Sequence, residues 1–300
     1  MRLDIDQPLD LAATLESGQA HRWRREGDWY SGVIRGTFIK IRQDDNGRLE
    51  FRCGPGSEAA QAPALYRYFR MDDDIHAVYA ELERDQRVAA MVRRYPGLRL
   101  LRLEPWECLI AFICSANSNI PRIHQVMERM SDNFGDALEL DGDVRHAFPT
   151  AAQLVEAGES ELRRLGLGFR APYVDQATRR VVEGDLDLPS LVRMPYQEAK
   201  EQLMTCPGIG PKIAACVAVF SLEKLEAFPI DVWVRRALGE WYFPDQKIPP
   251  DRVLLEWAHA HFGRYAGYAQ QYLFHGRRLE KRQASRSRSR GQVARISAAG

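Results

Sequence analysis

The chain has 300 residues, 45% of them apolar, with 42 Lys and Arg against 41 Asp and Glu and a formal net charge of +1. That length suggests two or more domains or one large one, with enough apolar content for a proper core. The seven His and five Cys form no CxxC pair and no zinc-like spacing, which excludes a structural zinc reading.

Charge is unevenly spread. From Arg277 onward there are eight Lys or Arg and one Glu, so the rest holds 34 basic and 40 acidic residues, a net of −6. A body this acidic can meet a nucleic acid only through a local basic face and backbone amides. Cys53, Cys108, Cys114, Cys206 and Cys216 mostly lie in apolar runs and read as buried thiols of a reducing cytosol. The first residues, MRLDIDQPLDL, lack a basic stretch followed by an apolar one, so no secretory leader is expected. The longest apolar run, around IAACVAVF, is too short to span a bilayer, and a soluble chain is expected.

Residues 1–104 read as a β-rich domain. HRWRREGDWYSGVIRG, TFIKIRQ and RLEFRCG alternate apolar and polar residues. The last two are separated by Asp44-Asp45-Asn46-Gly47, with the Asn-Gly pair that hairpins favour. Within this domain Ser17-Gly18-Gln19-Ala20-His21-Arg22-Trp23 is, on pattern alone, a polar turn entering a strand. HAVYAELERDQRVAAMVRRY follows with apolar residues at helical spacing and predicts one helix.

From Trp106 onward the pattern predicts an all-helical region, residues 105–282, with loops at Pro149, Gly166-Leu167-Gly168, Pro189 and Pro249-Pro250. Its first helix, LIAFIC, ends in a polar tip, Ser115-Ala116-Asn117-Ser118-Asn119. Further on, Leu203 to Leu238 predicts helix, tight turn, helix. Pro207-Gly208-Ile209-Gly210-Pro211 supplies two glycines in three positions, which lets the backbone turn sharply and approach a partner closely. The helix after it opens with unpaired N–H groups that suit a phosphate, and Lys212 stands at that opening. Asp231 comes 19 positions later, before VWVRRAL, where it can cap a helix and is held as a carboxylate by the helix dipole. Alone, Lys212 reads as a solvated helix-start residue and Asp231 as a structural cap. Tyr265 to Phe274 is an aromatic-rich helix whose apolar residues suit a core. Residues 283–300, with their Arg-Ser alternation, have no apolar periodicity and read as a disordered basic tail.

Hairpin, lysine and aspartate together resemble the helix-hairpin-helix superfamily of base-excision DNA glycosylases. SGQAHRW and FICSANSNIPRI are similar to signatures of its 8-oxoguanine branch, and the likeness runs from about Leu9 to Leu279. The implied fold is α+β, an amino-terminal antiparallel β domain packed on a mostly helical glycosylase core. The implied activity is a bifunctional glycosylase and abasic-site lyase acting on double-stranded DNA with oxidised guanine opposite cytosine. The rivals are a superfamily glycosylase for alkylated purines or oxidised pyrimidines, and a non-catalytic DNA-binding module.

The resemblance assigns roles residue by residue. Lys212 would form the Schiff base and Asp231 would stabilise the sugar cation. Burial beside Cys206 and Cys216 would keep the Lys212 amine neutral. The Gly18 carbonyl would read the oxidised base, Gln270 would hydrogen-bond its edge, and Phe274 and Cys216 would stack on its two faces. Asn117 would fill the gap in the duplex, Arg122 and Arg170 would hold the orphaned cytosine, and Phe169 would wedge into the stack. Gly208 and Gly210 would present amides to phosphate. The main-chain carbonyls of Met204, Cys206 and Ile209 match positions that hold a monovalent cation when DNA is bound. No side-chain metal and no cofactor are expected, nor is an iron–sulfur loop, since no Cys follows Cys216. A monomer is expected, in the cytoplasm with the nucleoid if bacterial and in the nucleus if eukaryotic. One departure is Trp233, where the family usually has His.

Overall fold

The computed structural model describes residues 1–280, so the expected tail at 283–300 lies outside the described residues. Strands β1 (Arg2–Leu3), β2 (Arg24–Glu26), β3 (Trp29–Ile34), β4 (Thr37–Gln43) and β5 (Leu49–Gly54) form an antiparallel sheet in the order β1-β5-β4-β3-β2. Alternation divides its faces. Ile39 pairs with Cys53 and Ile41 with Phe51, and this face packs with helices α1 (Leu11–Leu15) and α2 (Glu58–Tyr68). The opposite face carries Val33 and Phe38.

Two expectations of helical continuity are corrected. The helix predicted at 76–95 is two, α3 (Ile75–Leu82) and α4 (Gln86–Arg94). Asp85 divides them because its carboxylate accepts from the amides of Arg87 and Val88 and so starts a new helix. The region after Trp106 is not all helical either. Between α5 (Pro105–Cys114) with α6 (Ile120–Phe134) and α7 (Ala151–Arg164) lies a hairpin, β6 (Ala137–Leu140) and β7 (Asp143–His146). It turns at Asp141-Gly142, both at positive φ, and its Leu138 covers Val33 and Phe38 on the outer sheet face. The alternating LELDGDVRH carried that signal.

The remaining helices are α8 (Ala171–Glu183), α9 (Leu188–Arg193), α10 (Tyr196–Met204), α11 (Pro211–Ser221), α12 (Val232–Trp241) and α13 (Asp251–Phe262). A last helix, α14, runs from 266 to the end of the described residues. Pro189, expected in a loop, sits in the first turn of α9, where its missing N–H costs nothing. Every residue from Cys108 to Cys114 on α5 and from Ile213 to Ser221 on α11 is buried. Helices apolar on all sides form the centre of a body. All five cysteines are free and buried.

A buried charge cluster ties the sheet to the body. Glu128 on α6 accepts from Arg22 Nε at 3.2 Å and Arg145 Nη2 at 2.9 Å, and Arg24 also bonds it. Arg145 reaches back to the Arg22 carbonyl at 2.9 Å and the Ser31 carbonyl at 3.2 Å. Removing the one carboxylate would strand guanidinium groups in the interior. Glu128→Ala is therefore expected to cost about 3–5 kcal/mol in urea unfolding. A cost near that of a surface pair, about 0–1 kcal/mol, would show the cluster to be dispensable.

Candidate active site

The 203–238 stretch folds as a helix, a hairpin and a helix, α10, 205–210 and α11. Gly208 has φ +83°, and a Cβ there would fall 2.4 Å from Cγ of Tyr173 on α8. Only glycine lets the hairpin lie against that ring. Gly210 is the N-cap of α11 and no side chain caps the helix. Lys212 leaves the first turn of this buried helix toward α5. Its Nζ donates to Ser115 Oγ at 3.0 Å and stands 5.4 Å from the centre of the Phe112 ring. One turn on, Cys216 lies on the same face, and burial pushes its thiol up to about 11, so it stays uncharged.

Asp231 caps α12, its Oδ1 accepting from Trp233 N at 2.9 Å and Val234 N at 2.8 Å. The cap was expected, but the dipole does not decide the ionisation. Burial raises the Asp231 pKa, against the opposing pull of the Val234 amide and the Lys212 charge. Lys212 and Asp231 line one cavity of about 960 Å³. They reach it from two helix starts that converge only in the fold.

The same cavity gathers Gly18, Asn117, Gly210, Cys216, Trp233, Gln270 and Phe274. Gly18 comes from the other domain. Its φ is +88°, and a Cβ there would fall 2.6 Å from Ile120 Cδ1, so any other residue would push into the wall. Gln270 Oε1 is buried without a hydrogen-bond partner, and Phe274 has the Arg278 guanidinium 5.6 Å from its ring centre. Asn117 takes a positive φ of 47° at the tip after α5.

Arg122, Phe169, Arg170 and Gly208 do not line the cavity. The arginines brace its rim. Arg170 donates from Nε to the Ala116 carbonyl at 2.7 Å and from Nη2 to the Asn117 carbonyl at 2.8 Å. Arg122 donates to the Gly166 carbonyl at 2.8 Å. Phe169 is 51% exposed with the Arg170 guanidinium 4.4 Å from its ring centre. Cys206 corrects the expectation that it surrounds the lysine. It lies away from the cavity, and Arg180 donates to its Sγ at 3.2 Å. Cavity-wall residues to which the sequence reading gave no role include His21, Phe112, Ser115, Ile120, Gln271 and Arg278. Phe112 and Ser115 could have been found, since they lie three apart on the helix leading to the polar tip. Among the described residues no cluster of His, Cys, Asp or Glu could hold a metal ion.

Residues 2–109 match the family model for the 8-oxoguanine DNA glycosylase N-terminal domain, and 110–258 match that of the HhH-GPD superfamily of base excision DNA repair proteins. The N-glycosylase/DNA lyase OGG1 of Arabidopsis thaliana is 34% identical over 281 residues, covering 89% of this chain and 76% of the relative. The chain belongs to the 8-oxoguanine DNA glycosylase family. An N-glycosylase/DNA lyase of Saccharomyces cerevisiae is 31% identical, with 89% of this chain and 82% of the relative covered. The Clostridium acetobutylicum 8-oxoguanine glycosylase/lyase, solved with double-stranded DNA containing cytosine opposite 8-oxoguanine, superposes with a TM-score of 0.85 at 30% identity. That superposition covers 92% of this chain and 93% of the other. Trp233 sits in the cavity wall with the Arg236 guanidinium 5.9 Å from its ring centre.

The raised pKa of Asp231 has a testable sign. The folded chain binds this proton more tightly than the unfolded chain, so the stability it contributes is full below the unfolded pKa and is lost as pH rises through the folded one. Asn caps as well as Asp and carries no charge. Asp231→Asn should therefore melt above the wild type at pH 7, and the gap should close as pH falls below about 4 in a thermal-unfolding series. A variant less stable at pH 7 would contradict the assignment.

Proposed function

We propose that the protein is a DNA glycosylase with abasic-site lyase activity, which extrudes 8-oxoguanine paired with cytosine and excises it through a Schiff base on Lys212. The observation that carries this reading is an amine and a carboxylate in the wall of one cavity that Gly18 of the other domain also lines. A purine nucleoside fits such a space, and a phosphate clamp would need none of it.

The hairpin amides at Gly208 and Gly210 bind phosphate, and the lesion swings into the cavity. Extrusion costs a few kcal/mol of stacking and pairing. Asn117 at the braced tip and exposed Phe169 offset part of that cost by filling the gap, with Arg122 and Arg170 meeting the cytosine. The base lies between Cys216 and Phe274. Its edge satisfies Gln270 Oε1, and the Gly18 carbonyl accepts from N7–H, which ordinary guanine lacks. Ser115 aims the Lys212 amine. The free amine attacks C1′ as the glycosidic bond breaks and the base departs with the bonding electrons. Asp231 faces the positive charge that grows on the sugar, and burial makes that attraction strong. The aminal opens to an imine, and loss of a C2′ proton expels the 3′ phosphate. The Cys206 carbonyl accepts the Ile209 N–H at 3.1 Å and keeps a second lone pair. It remains able to ligate a monovalent cation with the carbonyls of Met204 and Ile209.

An alkyl-base reading leaves Lys212 without a role, and an oxidised-pyrimidine reading leaves the β domain without one. The protein would work where DNA lies, in the nucleoid or nucleus; no described helix is long and apolar enough to cross a membrane.

Borohydride should trap a covalent complex with a duplex carrying 8-oxoguanine opposite cytosine. Lys212→Gln should abolish the adduct and base release while still binding the lesion. Asp231→Asn should slow release about 10²–10³-fold. Absence of any adduct from folded wild-type protein, or full activity in Lys212→Gln, would end the proposal.

A further inference from the structure

His21 stands three residues beyond Gly18 in the cavity wall, 7% exposed. Neither of its ring nitrogens has a hydrogen-bond partner, and both are sealed from water. Its backbone is held, because its carbonyl oxygen is 2.6 Å from His124 Nδ1. Its ring meets Phe112 edge-on, with centroids 6.0 Å apart and planes at 75°. Phe112 is the ring that faces the Lys212 amine. Burial first, then the charges of Lys212, His124 and Arg278, hold the imidazole neutral by lowering its pKa to about 3.

A neutral imidazole carries one N–H donor and one acceptor nitrogen. Buried polar atoms without partners are rare, and each one calls for a reason. Packing alone is a weak reason here, since a phenyl ring would make the same edge contact with Phe112 and leave nothing unsatisfied. A ligand that enters later is a sufficient reason. A positive side chain identifies the matching atom. Arg278 also lines the cavity and its guanidinium acts on His21, so an electronegative atom is favoured at this corner. The carbonyl oxygens of an oxidised purine are such atoms.

We propose that His21 is a base-contacting residue, whose imidazole turns about its soft χ2 torsion when the base enters and donates its N–H to a carbonyl oxygen of the extruded oxidised purine beside Gly18. This rests on the glycosylase reading above. The contact adds a side-chain donor to a pocket whose other assigned reader on the same segment is a backbone carbonyl. It gives the pocket a preference for bases with an oxygen at that position.

The test uses full-length wild type and His21→Phe in single turnover on two duplexes, one with 8-oxoguanine opposite cytosine and one with a preformed abasic site. The abasic duplex has no base to read. Base release should fall about 10- to 100-fold in the variant. Strand cutting at the abasic site should stay within about twofold of wild type. The melting temperature of the free protein should hold or rise, since two orphaned atoms are removed. Unchanged base release overturns the proposal. Equal losses on both duplexes overturn it too, because they place the effect on Lys212 or on folding. Should the Phe variant not fold, His21→Gln and His21→Leu are compared instead. The Gln variant, which keeps an amide donor, must release base faster than Leu, and equal rates overturn the proposal. A wild type inactive on both duplexes is a different failure, that of the glycosylase reading itself.

Discussion

The structure depends on one constraint, that an amine and a carboxylate share one cavity between two largely apolar helices and the rest of the body. Lys212 and Asp231 manage this because each leaves the first turn or cap of a helix rather than its middle. α11 is buried from Ile213 to Ser221, so its amino-terminal end is the place where it can carry a polar side chain to a cavity without breaking the core. Asp231 is held by two backbone amides, which satisfy one of its oxygens and leave the charge directed by the cap. Low polarity around the pair strengthens each charge's effect on a ligand and raises the cost of holding it there.

That cost recurs around the pocket. Gln270 Oε1 and the His21 nitrogens lack partners, and Gly18 and Asn117 sit at positive φ. A fold selected for stability alone would fill these positions with apolar groups in relaxed geometry. Here they converge on one cavity, which is the pattern expected where preorganised contacts wait for a ligand. The rim shows the same economy. Arg170 and Arg122 hold the loops after α5 and α7 by their carbonyls, so they hold the tip in shape before any nucleic acid arrives.

The β domain is part of the site. Gly18 and His21 enter the wall from the turn before β2, and the sheet is fixed to the body through Glu128 and the arginines around it. The β6–β7 hairpin, rooted in the helical body, closes the outer sheet face with Leu138. A main-chain bond from Leu103 N to the Phe220 carbonyl, 2.8 Å, joins the linker directly to the end of α11. The Gly18 segment and Lys212 are thereby held by one framework.

Local patterns in the chain were enough for its antiparallel strands, its helix-hairpin-helix and the cap at Asp231, because alternation, paired glycines and capping chemistry act over a few residues. They also carried the break at Asp85 and the Asp141-Gly142 turn, which a reading by helical spacing alone passed over. The site residues could be nominated by likeness to a family, but no local pattern brings Gly18, Lys212, Asp231 and Gln270 to one cavity. Burial was likewise invisible: it moved Cys206 away from the lysine, lifted the Asp231 pKa and left His21 neutral without partners. Those properties depend on which distant groups surround an atom, and only packing of the whole chain sets that.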